Sequence, residues 1–148
     1  MLKVGERAPD FHALSTAGAE VSLGGFKGRK LVLYFYPKAF TPFCTAEARR
    51  FRDNYDEVRA LGADVVGVSV DEHQTQCDFA QRHELRFPLV ADHDKTISRA
   101  YGVLWPGLPF DKRVTFVIDE NGVVRAVFRH EFQVVKHLDD VLRFLQKH

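Results

Sequence analysis

The stretch Lys30-Leu31-Val32-Leu33-Tyr34-Phe35-Tyr36-Pro37-Lys38-Ala39-Phe40-Thr41-Pro42-Phe43-Cys44 decides the fold. Lys30 to Tyr36 is a continuous apolar run, short, rich in branched and aromatic residues, and stopped by a proline. Such a run reads as a strand covered on both faces rather than a helix. After Phe43 the period changes. Cys44, Ala48, Phe51, Tyr55, Val58 and Gly62 recur every three or four residues, which places them along one helix face. Gly62 fits a helix C-cap.

Further strands and helices follow on both sides of this unit. Ala63 to Val70 is a second buried strand, His73 to Glu84 a helix, Phe87 to Ala91 a short strand, and Thr96 to Tyr101 a short helix with Asp94 as its cap. Arg113 to Ile118 is a third strong strand. Asn121-Gly122 is a hairpin signal, and Val123 to Phe128 is the return strand. Lys136 to Lys147 closes the chain as an amphipathic helix, with apolar residues at Val135, Leu138, Val141, Leu142 and Leu145. Before the central strand, Pro9 to Leu14 and Val21 to Leu23 flank Gly18 as a hairpin. A β-α-β segment calls for parallel strands with a right-handed crossover, and the last hairpin adds antiparallel ones. The expected class is α/β: a mixed central β-sheet flanked by helices, with an N-terminal β-hairpin, as in a thioredoxin-like fold. A single domain over residues 1–148 is expected.

The composition is that of an ordinary soluble domain, with 45% hydrophobic and 28% charged residues and a net charge of +1. The cations are dispersed, and the one cluster, Arg49, Arg50 and Arg52, reads as a solvated helix face, so no nucleic-acid partner is expected. The opening residues lack the apolar core of a secretion signal, and no run is long enough to span a membrane. These features favour the cytoplasm, where the two cysteines are expected to be chemical rather than structural. The seven histidines show no metal-ligand spacing, and neither a metal nor a cofactor is implied.

Cys44 sits where a helix begins after a central strand. Free N–H groups and the positive dipole end at such a position favour the thiolate, which is the nucleophilic form. Position alone also allows an inert cysteine filling the core face beside Ala48 and Phe51. Thr41 lies one turn earlier, so its hydroxyl can address the same ligand. A hydroxyl donates and accepts, as hydrogen peroxide does. Pro37 removes a backbone donor and adds an apolar ring that limits water around the sulfur. Glu47, one turn into the helix, reads as structural, paired with an arginine or closing a capping box.

The segment from Tyr36 to Thr45 resembles the active-site motif of the peroxiredoxins, and is similar to the bacterioferritin-comigratory-protein (peroxiredoxin Q) branch. The likeness extends to Ala8-Pro9-Asp10-Phe11, Gly67-Val68-Ser69-Val70-Asp71, Phe87 to Asp92 and Arg113 to Asp119. The resemblance implies a thiol peroxidase for hydrogen peroxide and organic hydroperoxides. Cys44 then matches the peroxidatic cysteine, Thr41 the peroxide-binding threonine, Pro37 the shielding proline and Arg113 the arginine that completes the site.

An oxidised Cys44 would be a sulfenic acid, which condenses with a second thiol. Many members of the resembled branch carry that thiol five residues later, where this chain has Arg49. Others carry it on the next helix, near Ala80 here, and Cys77 lies one turn earlier. Cys77 is therefore the candidate resolving cysteine, on the solvent side of a helix whose core residue is Phe79. A disulfide within one chain would require the first turn of the Cys44 helix to unwind, and thioredoxin or a similar dithiol would reduce it. Two alternatives stand beside this: a one-cysteine peroxidase served by an external thiol, and a thioredoxin-fold redox sensor that does not turn over. A disulfide reductase is disfavoured, because Thr41 occupies the first position of what would be Cys-x-x-Cys. A monomer or weak dimer is expected, and the Trp105 to Phe110 loop reads as lining the peroxide access route, as a dimer contact, or as folded onto the core.

Overall fold

The run from Lys30 to Tyr36 is the middle of the sheet. In the computed structural model, which describes residues 1–148, the strand Lys30–Phe35 (β3) has two neighbours on either side. The preceding strands, His12–Leu14 (β1) and Glu20–Ser22 (β2), form a separate antiparallel hairpin around Gly18, as expected. The first helices after β3 are Pro42–Asp53 (α1) and Tyr55–Ala60 (α2). Then come Ala63–Ser69 (β4), His73–Arg82 (α3), Leu89–Ala91 (β5) and Thr96–Tyr101 (α4). Val114–Ile118 (β6), Val124–Arg129 (β7) and Val134–Lys147 (α5) complete the chain. The sheet order is β5-β4-β3-β6-β7, parallel from β3 through β5 and antiparallel from β3 through β7. This is the mixed sheet that the order of elements calls for.

Strand alternation divides the core. Val32, Tyr34 and Tyr36 face a cluster completed by Cys44, Ala48 and Phe51 of α1 and by Leu138, Val141 and Leu145 of α5. Leu31, Leu33 and Phe35 face the opposite side, against Phe116, Tyr101 of α4 and Phe11 near the N-terminus. A strand covered on both faces must be apolar at every position, which explains the uninterrupted run.

The structure corrects three local readings. The helix after Cys44 breaks at Asn54, whose side-chain amide donates to the Arg50 carbonyl at 2.8 Å and ends α1, and α2 then starts afresh. Gly62, with φ +84°, closes α2 in the left-handed conformation that glycine favours. The main cap of α4 is Asp92, whose buried carboxylate accepts from the Ile97 and Ser98 amides at 3.1 and 2.7 Å; Asp94 adds a bond from Thr96 at 3.1 Å. In α5 the buried stripe is Val134, His137, Leu138, Val141 and Leu145, while Val135 is exposed. No helix is long and apolar enough to cross a membrane.

Close packing against the central strand leaves one glycine of β4 no room for a side chain. A Cβ on Gly67 of β4 would lie 2.7 Å from Leu89 Cδ2 and 2.8 Å from the Tyr34 ring. Gly67→Ala is expected to destabilise the fold by about 1–3 kcal/mol through overpacking. Urea unfolding checks this, and an unchanged midpoint would contradict the packing described.

Candidate active site

Three elements bring the site together. β3 ends at Phe35, and the loop after it is tied to β4: the Ala39 amide donates to Asp71 Oδ2 at 2.8 Å, and that oxygen also accepts from Ser69 Oγ at 2.6 Å. The loop leads into α1, with Thr41 as the N-cap residue, Pro42 in the first helical position and Cys44 in the first turn. Proline suits that position because its missing N–H has no helical partner to lose. The Thr41 side chain does not cap the helix; its hydroxyl donates to the Lys38 carbonyl at 2.6 Å, which leaves its lone pairs free to accept.

Cys44 is 2% exposed and Arg113 also 2%. Arg113 Nη2 donates to Cys44 Sγ at 3.4 Å, across 69 residues of sequence. Its Nη1 donates to Glu47 Oε1 at 2.5 Å, and its Nε donates to the Glu131 main-chain carbonyl at 2.8 Å. The fork of the guanidinium is thus directed by the loop after β7, by α1 and by the sulfur. Burial pulls the Arg113 pKa down, but the charges of Glu47 and Cys44 outweigh it and the net direction is up. Burial likewise pushes the Glu47 carboxyl up to about 7, with Arg113 pulling the other way.

Of the residues singled out in the sequence, Cys44 and Arg113 are in direct contact. Thr41 lies one helical turn from the sulfur, and Pro37 stands half-buried at the end of β3. Cys77 is elsewhere, half-buried on α3, with Sγ 3.3 Å from His73 Nε2; Phe79 of that helix is buried, so Cys77 leans toward solvent as expected. Both cysteines are free thiols. Trp105 lies between Lys112 and Arg129, whose charges stand 5.3 and 5.4 Å from its ring. It therefore pins its loop beside β7.

The site is thus a buried cysteine held by a buried arginine, with a threonine one turn before it. The profile of the AhpC/TSA family matches residues 4–127. The chain belongs to the AhpC/TSA family. It is a peroxiredoxin, a thiol-dependent peroxidase. The chloroplastic peroxiredoxin Q of Suaeda salsa is 41% identical over 145 residues, covering 96% of this chain and 67% of that relative. The peroxiredoxin Bcp of Escherichia coli K12 is 38% identical over 153 residues, covering 99% and 97%. The crystal structure of peroxidoxin BcpB from Mycobacterium tuberculosis superposes with a TM-score of 0.91 at 35% identity, covering 99% of this chain and 98% of that one.

The sequence of this peroxiredoxin reads Glu47 as structural and gives no role to His137, which is fully buried on α5 with Nε2 2.5 Å from Thr115 Oγ1. The signal was present in both cases: each is a polar residue at a core position of an amphipathic helix. The pairing of Glu47 with Arg113 decides between its two sequence readings in favour of the arginine.

A carboxyl whose pKa is raised in the fold binds its proton more tightly there than in the unfolded chain. Between the ordinary value of 4.5 and about 7, ionising Glu47 therefore lowers stability as pH rises. Glu47→Gln, which cannot ionise, should gain stability relative to the parent by up to about 3 kcal/mol across that window. Urea midpoints at its two ends check the sign, and a relative gain toward acid would refute it.

Proposed function

We propose that Cys44 is the peroxidatic cysteine, which attacks hydrogen peroxide or an organic hydroperoxide and becomes a sulfenic acid. The observation that carries this is the 3.4 Å contact between Cys44 Sγ and the Arg113 guanidinium, itself fixed by Glu47 and the Glu131 carbonyl. A preorganised cation beside the sulfur favours the thiolate and stabilises charge as it spreads onto the peroxide oxygens. The Thr41 hydroxyl, with its lone pairs free, accepts from the peroxide, and Pro37 shields the sulfur from water.

In this reading Cys77 is the resolving thiol. The first turn of α1 must unwind to free Cys44, and several features make that inexpensive. The helix starts without a side-chain cap, Phe43 is 44% exposed, and Phe40 holds a left-handed φ of +66° that an L-residue adopts at a cost. Thioredoxin or a similar dithiol then reduces the intramolecular disulfide by exchange. A cytoplasmic setting and action as a monomer or weak dimer complete this reading.

The division of labour between the cysteines is open to a direct experiment. Cys44→Ser should abolish peroxide consumption, whereas Cys77→Ser should still allow one fast oxidation and then stall with a dithiol protein as sole reductant. Mass spectrometry after one equivalent of peroxide should show a Cys44–Cys77 crosslink within one chain. A persistent Cys44 sulfenic acid would favour the external-thiol cycle, and equal loss of the first oxidation in both variants would overturn the assignment. Arg113→Lys keeps the charge but not the fork, and should slow that first oxidation by roughly 10²–10³. A rate within a factor of about two of the parent would remove the arginine from the site.

A further inference from the structure

Behind the Arg113 guanidinium runs a row of polar side chains that, apart from the hold of Glu47 on Arg113, the peroxidase chemistry leaves without a task. Glu47 uses Oε1 for Arg113, while its Oε2 is buried with no hydrogen-bond partner. His137 faces that oxygen, with Nε2 3.8 Å from it and 2.5 Å from Thr115 Oγ1. The Nδ1 of His137 meets the Nδ1 of His130 at 3.0 Å. His130 turns its Nε2 to Asp140 Oδ2 at 3.6 Å, and Lys136 and Arg143 reach the same carboxylate from solvent. The row runs from core to rim.

A neutral imidazole carries one N–H and one lone pair, so the two facing Nδ1 atoms need a proton between them. When His130 donates it, His137 must carry its own proton on Nε2, toward Glu47 and Thr115. When His137 donates it, its Nε2 is bare and accepts from the Thr115 hydroxyl, and a protonated Glu47 reaches it only by closing the 3.8 Å gap. The two arrangements differ by one proton moved from His130 to Glu47. Burial, helped by the charges of His130 and Arg113, pulls His137 down to about 3, so that ring relays without resting as a cation. Burial lets Glu47 hold a proton up to about pH 7. The other groups facing the row are Arg113, Glu131 and Cys44 at the site, the unpartnered Tyr34 hydroxyl of β3, and Asp140.

We propose that His137 and His130 form a proton path that loads and unloads Glu47, keeping the net charge of the buried site constant through the peroxidase step. The inference rests on Cys44 being the attacking sulfur. In the reduced site the thiolate and the guanidinium cancel, and Glu47 is the neutral acid. The sulfur bonds to one peroxide oxygen, the O–O bond breaks, and the departing hydroxide takes a proton from solvent to become water. Cys44, now a sulfenic acid, has lost its charge. Glu47 then releases its proton through His137 and His130 to the rim and, as a carboxylate, becomes the counter-charge of Arg113. One proton is consumed at the leaving oxygen and one returned at His130, and no uncompensated charge is left in the core, where it would be costly. His137 and His130 are positioning residues, since neither touches the peroxide.

Difference infrared spectroscopy of the reduced full-length protein, mixed with one equivalent of hydrogen peroxide, tests this. Cys44 oxidation is followed in parallel by mass spectrometry of the trapped sulfenic acid. The carbonyl band of a protonated carboxyl should disappear and carboxylate bands appear in step with oxidation, and Glu47→Gln should lack this change. His137→Gln keeps a polar contact but cannot relay a proton, and its carboxyl band should decay about tenfold or more later than the oxidation. His130→Asn, at the less buried end, should show the same delay, so the test survives a misfolded His137 variant. Oxidation with no carboxyl change, or unchanged timing in the variants, overturns the path. Failure of the parent protein to oxidise Cys44 at all instead refutes the peroxidase assignment on which it rests.

Discussion

Arg113 is the residue on which the site depends. A guanidinium 2% exposed is tolerable only when its donors are directed at partners, because a buried cation with a missing partner is costly. Here Nε, Nη1 and Nη2 each have one, drawn from the loop after β7, from α1 and from the sulfur of Cys44. The same bonds orient the cation and brace the elements that supply them. Truncating Glu47 would therefore not merely remove an ion pair; it would leave the arginine free to turn away from the sulfur.

The sheet register delivers Arg113 to that place. β3 pairs with β6 in antiparallel fashion, with Phe35 opposite Val114. Arg113 immediately precedes β6 and so meets the end of β3, where the chain turns through Pro37 toward Cys44. A slip of one residue would turn every side chain of β6 to the other face. The alternating halves of β3 prevent this, since Tyr34 and Phe35 each fill opposite cores and neither can exchange places without leaving a void. Cooperation between residues far apart in sequence is thus set by the packing of a strand that carries no chemistry.

That strand was legible because burial on both faces leaves an unmistakable apolar run, and Cys44 was legible because its helix period starts where the run ends. Arg113 was a different case: alone it reads as a charge at a strand end, and only the resemblance gave it a role. The break at Asn54 escaped a reading based on apolar period, since Tyr55 and Val58 keep that period while a side-chain amide diverts the backbone. Asp92 was missed as the cap of α4 because the turn between them, with Lys95 at φ +65°, folds it back under the helix. His137 escaped for a related reason. A polar residue in an apolar stripe can be placed on a face from sequence, but its partners come from α1, β6 and the loop after β7, which only tertiary packing brings near.

The loop carrying Cys44 and the helix carrying Cys77 are joined by more than proximity. Phe40 sits in the left-handed region at φ +66°, and its ring packs edge-on against Phe79 of α3 at 5.2 Å and beside His83 at 6.3 Å. Packing against α3 thus adds to the Ala39–Asp71 bond in holding the strained loop, and the ring is otherwise half exposed. If α3 loosens, Phe40 loses its support and the loop is free to relax. If the loop relaxes first, α3 loses an aromatic contact on the same face as its core residue. Motion of one therefore favours motion of the other. In the proposed cycle, such coupled loosening is what would let a thiol on α3 come within the Cα separation that a disulfide requires.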